Sequence, residues 1–173
     1  MNSDEIKRLI RDIPDFPKSG ILFRDITPLI SDPRGFAAVV DGLAEPYLGQ
    51  VDTVLGIESR GFIIGAPVAY RLGVGLAIAR KPGKLPASTV DESYDLEYGS
   101  ASLQMHSDAI APGARVLIAD DLLATGGTAE AAIKLVRKVG GVVIGCAFIV
   151  ELVALGGVTR LAPEKSFSLV RYE

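Results

Sequence analysis

The stretch VLIADDLLATGGTAEAA, residues 116–132, decides the fold class of this chain. It opens with apolar residues typical of a buried strand, continues with the adjacent acids Asp120 and Asp121, and passes through a turn of small residues into a helix. Open α/β sheets bind their ligands outside the carboxyl ends of their strands. The stretch therefore predicts an α/β fold and places the two acids where such a fold binds a ligand.

The segments around this stretch alternate between strand and helix. The predicted strands are 53–57, 76–80, 116–120 and 142–150, and the predicted helices are 61–72 and 128–139. These strands are apolar on both faces, as in a parallel sheet that is covered on both sides. We therefore predict a parallel, Rossmann-like sheet flanked by helices, in a single domain that spans residues 1–173.

Two further helices are predicted before this alternation begins. Ser3 is expected to cap the first helix, which includes Ile13 and ends at Pro14. Asp32 is expected to cap the second helix, which ends near Leu48. The chain between these two helices is expected to form a structured loop.

Two irregular segments, 14–33 and 81–112, interrupt the predicted pattern. Long irregular segments are uncommon in compact domains and are often functional. Within the second segment, residues 94–98 and 101–106 flank Gly99 and Ser100 as the strands of a hairpin flank a two-residue turn. Both segments are therefore candidates for ligand contact.

Composition and charge exclude several classes of protein. The chain is 49% hydrophobic and 23% charged, as globular proteins are. Its net charge of −3 argues against a nucleic-acid partner, and its apolar runs are shorter than the roughly 20 residues of a membrane helix. The N-terminus lacks the basic start and apolar core of a signal peptide, so we expect a cytoplasmic protein with no membrane partner.

The chain has one cysteine and one histidine, and neither indicates chemistry. Cys146 lies inside the apolar run VVIGCAFIV, where it is expected to pack as a small hydrophobic residue. His106 has no Cys or His companion at ligand spacing, which makes a structural zinc site improbable.

The turn between the two acids and the helix has the composition of an anion site. After Ala124, the residues Thr125, Gly126, Gly127 and Thr128 offer hydroxyl groups and approachable backbone N–H groups at a helix N-terminus. A phosphate at the turn and two carboxylates beside it would bind a ribose phosphate, with the acids accepting hydrogen bonds from the 2′- and 3′-hydroxyls. The glycines match neither the dinucleotide pattern nor a P-loop. The alternative is a well-capped turn that binds nothing.

The whole segment 116–132 resembles the phosphoribosyl diphosphate binding motif of the purine phosphoribosyltransferases. Its LLATGGT sequence is similar to the motif of the family members that act on adenine. The resemblance covers nearly the whole chain. Its other blocks, in order, are DFPKSGILFRDITPL (15–29), GIESRGFIIG (56–65), RKPGKLP (80–86), ESYDLEYG (92–99) and FSLVRYE (167–173). It implies a type I phosphoribosyltransferase fold with a small hood, mainly residues 1–33, which the last strand at 167–172 would join. The core would be 34–173, with a mobile loop at about 81–106.

The block at 56–65 is where the resemblance places the diphosphate leaving group, held by Ser59 and Arg60. A Ser-Arg-Gly sequence between a strand and a helix is also a reasonable anion nest in its own right, and arginine binds phosphate bidentately. The alternative is an exposed arginine that caps a turn. In this family the peptide bond before the serine is commonly cis, and we expect the same at Ser59.

The block at 80–86 contributes the cations Arg80, Lys81 and Lys84. Taken alone, a charge run of this kind is usually a solvated face. By resemblance it belongs to a loop that closes over the donor, and Arg80 or Lys81 reaches the site of a neighbouring subunit. The resemblance therefore implies a homodimer.

The resemblance implies that Glu97 and Tyr98, near the tip of the hairpin, close onto the reacting centre. Glu97 would manage the purine proton, because the attacking nitrogen must lose a proton as C1′ becomes oxocarbenium-like. Glu97 and Asp121 are thus the predicted catalytic residues. A residue pair at the tip of a hairpin is otherwise ordinarily exposed and inert.

The resemblance implies that the segment GILFRD, residues 20–25, binds the base. Phe23 would stack on the purine, while the Leu22 carbonyl and the Arg24 amide read the exocyclic amine and a ring nitrogen. Phe23 could equally be an ordinary core residue.

The resulting hypothesis is that the chain is a pentosyltransferase of purine salvage. It would make AMP and diphosphate from adenine and 5-phosphoribosyl 1-diphosphate. Mg²⁺ is implied as cofactor, held mainly by the donor and water, and no protein ligand is assigned to it. The alternatives are a transferase for another purine or for orotate, and a purine-sensing regulator without catalysis.

Overall fold

A computed structural model describes residues 1–95 and 100–173 of the chain. The strands are β1 (Arg11–Pro14), β2 (Leu22–Asp25), β3 (Thr53–Ile57), β4 (Gly75–Ala79), β5 (Thr89–Asp95), β6 (Ser100–His106), β7 (Arg115–Leu123), β8 (Val142–Leu152) and β9 (Ser166–Tyr172). The α-helices are α1 (Ser3–Arg8), α2 (Thr27–Ser31), α3 (Pro33–Ala44), α4 (Arg60–Leu72), α5 (Gly127–Lys138) and α6 (Gly157–Leu161). Short 3₁₀ turns follow α3 at Glu45–Tyr47 and β8 at Val153–Leu155.

The centre of the fold is a five-stranded sheet of order β4-β3-β7-β8-β9 in which every neighbouring pair is parallel. Successive residues of β7 point to opposite faces, so Leu117 joins one buried cluster and Ile118 joins the other. The first cluster lies under α1, α3 and α4, and the second lies under α5 and the β5–β6 hairpin. The predicted α/β fold with a covered parallel sheet is confirmed.

The predicted elements of the sheet match closely, and Asp32 caps α3 by accepting a hydrogen bond from the Gly35 amide at 2.6 Å. Cys146 is fully buried in β8, and burial raises the pKa of its thiol to about 12. This protonated, inaccessible thiol packs as a small hydrophobic residue, as predicted.

Several predictions about the N-terminal region are wrong. Asn2 rather than Ser3 caps α1, through a capping box with Glu5. The first helix ends at Arg8, and Ile13 lies in β1, which pairs antiparallel with β2. The segment predicted as a loop therefore contains a strand, and it also contains the short helix α2.

The expectation that the last strand joins the hood is also wrong. β9 pairs in parallel with β8 and forms an edge of the central sheet, so it does not belong to a separate hood. The predicted hairpin exists as the antiparallel pair β5–β6, but Ser100 belongs to β6 and not to the turn. The predicted turn residue Gly99 lies outside the described residues.

Candidate active site

A cavity of about 440 Å³ opens where β3 and β7 end. Ten residues predicted for the site line it, and these are Ser59, Arg60, Lys81, Asp120, Asp121, Ala124, Thr125, Gly126, Gly127 and Thr128. Residues that came from separate blocks of the sequence thus share one cavity. Glu97 and Tyr98 lie outside the described residues, and Leu22, Phe23, Arg24, Arg80 and Lys84 are not among the lining residues.

The floor of the cavity is the turn from β7 into α5. Gly126 precedes the helix with φ +83°, a left-handed conformation that glycine adopts without a steric penalty. Among the residues that the structure describes, no side chain caps this N-terminus. The first amides of α5 are therefore available to an anion, and the helix dipole favours negative charge there.

The two acids stand beside this turn in direct contact with each other. The Asp121 amide donates to Asp120 Oδ1 at 2.9 Å, and Asp121 is only 5% exposed. The pKa of Asp120 is raised well above its ordinary value, first by burial and then by the charge of Asp121. Ligand hydroxyls that donate to the carboxylates would stabilise their charged forms.

Arg60 is the cation closest to this pair. Its Nε lies 2.9 Å from Asp121 Oδ2, yet the two atoms do not align as a hydrogen bond, and this buried oxygen has no hydrogen-bond donor among the described residues. Charge attraction without a hydrogen bond leaves the lone pairs of Asp121 Oδ2 available. This oxygen is the kind of acceptor that a ribose hydroxyl would satisfy.

The loop before α4 carries a cis peptide bond between Glu58 and Ser59, as expected. Glu58, which the sequence reasoning missed, also lines the cavity. It accepts hydrogen bonds from the Lys81 amide at 2.9 Å and from Arg80 Nε at 3.3 Å. The Lys81 amide, and then Arg80, lower the pKa of the Glu58 carboxyl.

Arg80 is therefore held within its own chain. Besides Glu58, its guanidinium donates to the Lys84 carbonyl at 3.2 Å and lies 5.8 Å from the centroid of the Phe62 ring. Lys81 is the residue of the basic arm, 80–84, that reaches the cavity lining. Because the Arg80–Glu58 contact joins residues 22 positions apart, sequence spacing could not reveal it.

The segment predicted to bind the base lies next to the cavity. Arg60 Cζ is 5.3 Å from the centroid of the Phe23 ring, and the edge of Phe16 meets that ring at 5.1 Å between centroids. One arginine thus touches both the predicted base platform and the acid pair. Tyr94, a lining residue of β5, was another residue that sequence reasoning missed, and the block ESYDLEYG was the available signal.

Neither a metal cage nor a membrane-spanning helix is present in residues 1–95 and 100–173. No group of three or more Asp, Glu, His or Cys side chains in these ranges could hold a metal ion. In the same ranges, none of the helices is long and apolar enough to cross a bilayer.

The chain matches the family described as "phosphoribosyl transferase domain" over residues 30–169. It is 54% identical over 170 residues to the adenine phosphoribosyltransferase of Geotalea daltonii, covering 98% of this chain and 99% of the relative. Among solved structures, it is similar to the adenine phosphoribosyltransferase of Thermoanaerobacter pseudethanolicus, with a TM-score of 0.96, 49% identity and 99% and 100% of the two chains covered.

The yeast adenine phosphoribosyltransferase, solved with an imino-altritol bisphosphate and adenine, is similar at a TM-score of 0.91 and 37% identity. The match covers 96% of this chain and 97% of the yeast chain. The similarity therefore extends over the whole fold, including the segments that surround the cavity.

Proposed function

This chain belongs to the phosphoribosyltransferase family, and we propose that it makes AMP and diphosphate from adenine and 5-phosphoribosyl 1-diphosphate in cytoplasmic purine salvage. The observation that carries the proposal is that one cavity is lined both by an uncapped helix N-terminus and by the acid pair Asp120 and Asp121. This arrangement suits a ribose phosphate, and the adjoining Phe23 supplies a face for a purine.

In the proposed complex, the 5′-phosphate binds the amides and hydroxyls of residues 125–128 at the start of α5. The ribose hydroxyls donate to Asp120 and Asp121, whose negative charge also stabilises the cationic character that C1′ gains as the diphosphate leaves. Arg60 and the amides of the Ser59 loop bind the leaving group. The base stacks on Phe23. The Leu22 carbonyl accepts a hydrogen bond from the exocyclic amine and the Arg24 amide donates to a ring nitrogen, which makes the site specific for adenine.

Glu97 remains our candidate for the proton that the attacking purine nitrogen must lose. Its carboxylate would accept this proton while Tyr98 helps to exclude water from C1′. We propose these two roles on the family resemblance, since both residues lie outside the described ranges.

Mg²⁺ is the proposed cofactor, and it supplies charge neutralisation of the diphosphate as that group leaves. Phosphate oxygens and water suit this ion, which often keeps several waters when it binds a protein. The carboxylates of Glu58, Asp120 and Asp121 line the cavity, and their oxygens are of the kind that this ion accepts beside phosphate oxygens and water.

The decisive experiment measures AMP formation from the donor and a panel of bases: adenine, hypoxanthine, guanine, xanthine and orotate. We expect turnover with adenine to exceed that with every other base, and chelation of Mg²⁺ to abolish it. Faster turnover of another base would reassign the specificity. Tight donor binding without diphosphate release from any base would support a regulator instead.

Replacing Thr128 by valine should weaken donor binding by about tenfold, because one hydroxyl is lost from the phosphate site at nearly constant side-chain volume. The measurement is the KM for the donor, with the KM for adenine as the internal reference. Thr53→Val, at the start of β3 and away from the cavity lining, is the matched control. An unchanged donor KM in Thr128→Val would contradict the phosphate site.

We also propose a homodimer, supported by an apolar surface near the basic arm. Ile63 and Tyr70, seven residues apart on one face of α4, are 46% and 90% exposed, and Leu76 on the edge strand β4 is 43% exposed. α4 also carries Phe62, against which Arg80 lies. A second copy seated on this surface would stand beside the basic arm, so Arg80 could exchange Glu58 for the partner's diphosphate.

Subunit mixing tests this arrangement. A subunit with Arg80→Ala is mixed with one carrying Asp120→Asn and Asp121→Asn. If Arg80 acts across the interface, the mixed dimer has one intact site and regains about half of the wild-type activity. Absence of recovery after verified subunit exchange would show that the arm serves its own subunit, and a failure to form mixed dimers at all would show that the chain is a monomer.

A further inference from the structure

Tyr172, the penultimate residue, connects the core sheet with the segment proposed to bind the base. Its side chain lies at the end of β9 and the residue is 8% exposed. The Arg24 guanidinium lies over its ring at 3.7 Å from Cζ to the centroid, and Lys7 Nζ lies 4.4 Å from the same centroid. Arg24 is also paired with Asp12, its direct partner across β1 and β2.

These contacts define the rear face of the small β1–β2 sheet. Successive side chains of a strand point to opposite faces, so Arg24 and Phe23 lie on opposite sides of β2. Arg24 faces Tyr172, whereas Phe23 faces Arg60 at 5.3 Å. The orientation of β2 about its own axis therefore decides whether Phe23 stands beside Arg60, which in turn contacts Asp121.

Side-chain contacts at both ends of β2 fix this orientation, because buried Asp25 accepts hydrogen bonds from Arg11 and Thr27 while Arg24 lies against Tyr172. The β1–β2 sheet has two strands of four residues each, and two-stranded sheets of this size are marginally stable without packing. Arg24, whose side chain is only 16% exposed, is thus the contact that joins the strand to β9 of the core sheet. An ion-paired arginine over an aromatic ring is a directional anchor, because the guanidinium must stay over the face of the ring and within reach of the carboxylate.

We propose that Tyr172 is a positioning residue for the base site. Its ring holds the Arg24 side chain behind β2, so that Phe23, the Leu22 carbonyl and the Arg24 amide face the purine. This inference rests on the proposed function, and it assigns to the C-terminal strand a role in selecting and orienting the base. Tyr172 itself does not touch the substrate.

The test compares steady-state constants of Tyr172→Leu and Tyr172→Phe with those of the wild-type chain. Tyr172→Leu should raise the KM for adenine by about fivefold to tenfold, the size of a lost cation–aromatic contact, and leave the KM for the donor within about twofold. Tyr172→Phe keeps the aromatic face and should restore the wild-type adenine KM. A loss of stability alone would not raise one KM selectively or be rescued in this way.

Tyr47→Leu is the matched control, because Tyr47 is 6% exposed but packs against Gly145, away from the β1–β2 sheet. It should lower the melting temperature without changing the adenine KM. If Tyr172→Leu does not fold, Arg24→Gln removes the other half of the stack and should raise the adenine KM in the same way. An unchanged adenine KM in either folded variant of the stack would overturn the proposal.

The proposed function can fail independently of this inference. Absence of AMP formation by the wild-type chain would refute the proposed function. AMP formation by the wild type together with equal effects of Tyr172→Leu on the two KM values would refute only the positioning role.

Discussion

The double variant Asp120→Asn, Asp121→Asn should lose about 1,000-fold in kcat/KM for the donor while remaining folded. Each carboxylate accepts a hydrogen bond from a ribose hydroxyl, and a hydrogen bond to a charged group contributes about 1.5 to 3 kcal/mol. Two such losses are large, and the neutral amides also stabilise the cationic C1′ less well. The measurement is AMP formation at subsaturating donor, with circular dichroism to verify the fold.

The stability of this variant gives a second readout, because the pKa of Asp120 is raised in the folded chain by burial and by Asp121. The folded state therefore binds more protons than the unfolded state above the ordinary range of aspartate, and wild-type stability falls as the pH rises through that interval. Without the two carboxylates, the folded state no longer loses stability by ionising a buried aspartate at high pH. We expect a melting temperature at pH 8 that is equal to or higher than that of the wild type.

Asp52→Asn is the control for this pair of measurements. Asp52 binds Arg115 at 2.7 Å where β7 begins, so it lies at the end of the strand opposite to the acid pair. Arg115 lowers the pKa of Asp52 to about 2, the reverse of the shift at Asp120. The control should keep full activity, and any stability it loses should appear above about pH 4, where the wild-type Asp52 is charged in both states. An active double variant would show that the two acids do not bind the ribose.

The central sheet and the acid pair could be predicted from the sequence because both follow from local patterns. The apolar run before Asp120 and the small residues after it specify a strand, a turn and a helix at 116–132 without reference to the rest of the chain. The N-terminal region could not be predicted as well. Ile13 has helical spacing, but its position is decided by pairing with Phe23, a contact formed only in the folded chain.

The residues of the site that could not be predicted from the sequence owe their roles to contacts formed only in the folded chain. Glu58 belongs to no chemical motif of its own, and its importance arises from the Arg80 and Lys81 groups that reach it across the sheet edge. Tyr172 reads in the sequence as an ordinary aromatic residue of a terminal strand. Its contact with Arg24 depends on β9 lying at the edge of the central sheet, which the sequence pattern did not indicate.

Gly157→Ala should weaken donor binding by up to about 100-fold, because the new methyl group would enter the space of the phosphate turn. A Cβ at Gly157 would overlap the Ala124 carbonyl oxygen and would lie 2.9 Å from the Leu123 side chain. Conversely, a Cβ at Gly126 would lie 3.0 Å from the Gly157 carbonyl oxygen. The backbone of the phosphate turn therefore packs directly against the backbone at the start of α6.

The clash involves backbone on one side and a buried side chain on the other, so neither can yield cheaply. Leu123 is 1% exposed, and Ala124 begins the turn that leads to the uncapped start of α5. A shift of the turn into the cavity would relieve the clash, and it would misplace the amides that would bind the 5′-phosphate. Binding of ribose 5-phosphate and of the donor should weaken together, whereas the adenine site around Phe23 is not displaced.

Gly75→Ala provides the matched control for this substitution. Gly75 begins the edge strand β4, and the same added methyl group would meet its nearest neighbour, the Thr53 hydroxyl, at an ordinary 3.9 Å. Neither Gly75 nor Gly157 has a positive φ, so both alanines fit the backbone and differ only in the space available. Calorimetric binding of ribose 5-phosphate should therefore be unchanged in Gly75→Ala and sharply reduced in Gly157→Ala. Equal affinities in the two variants would mean that the close contact with α6 does not set the shape of the phosphate turn.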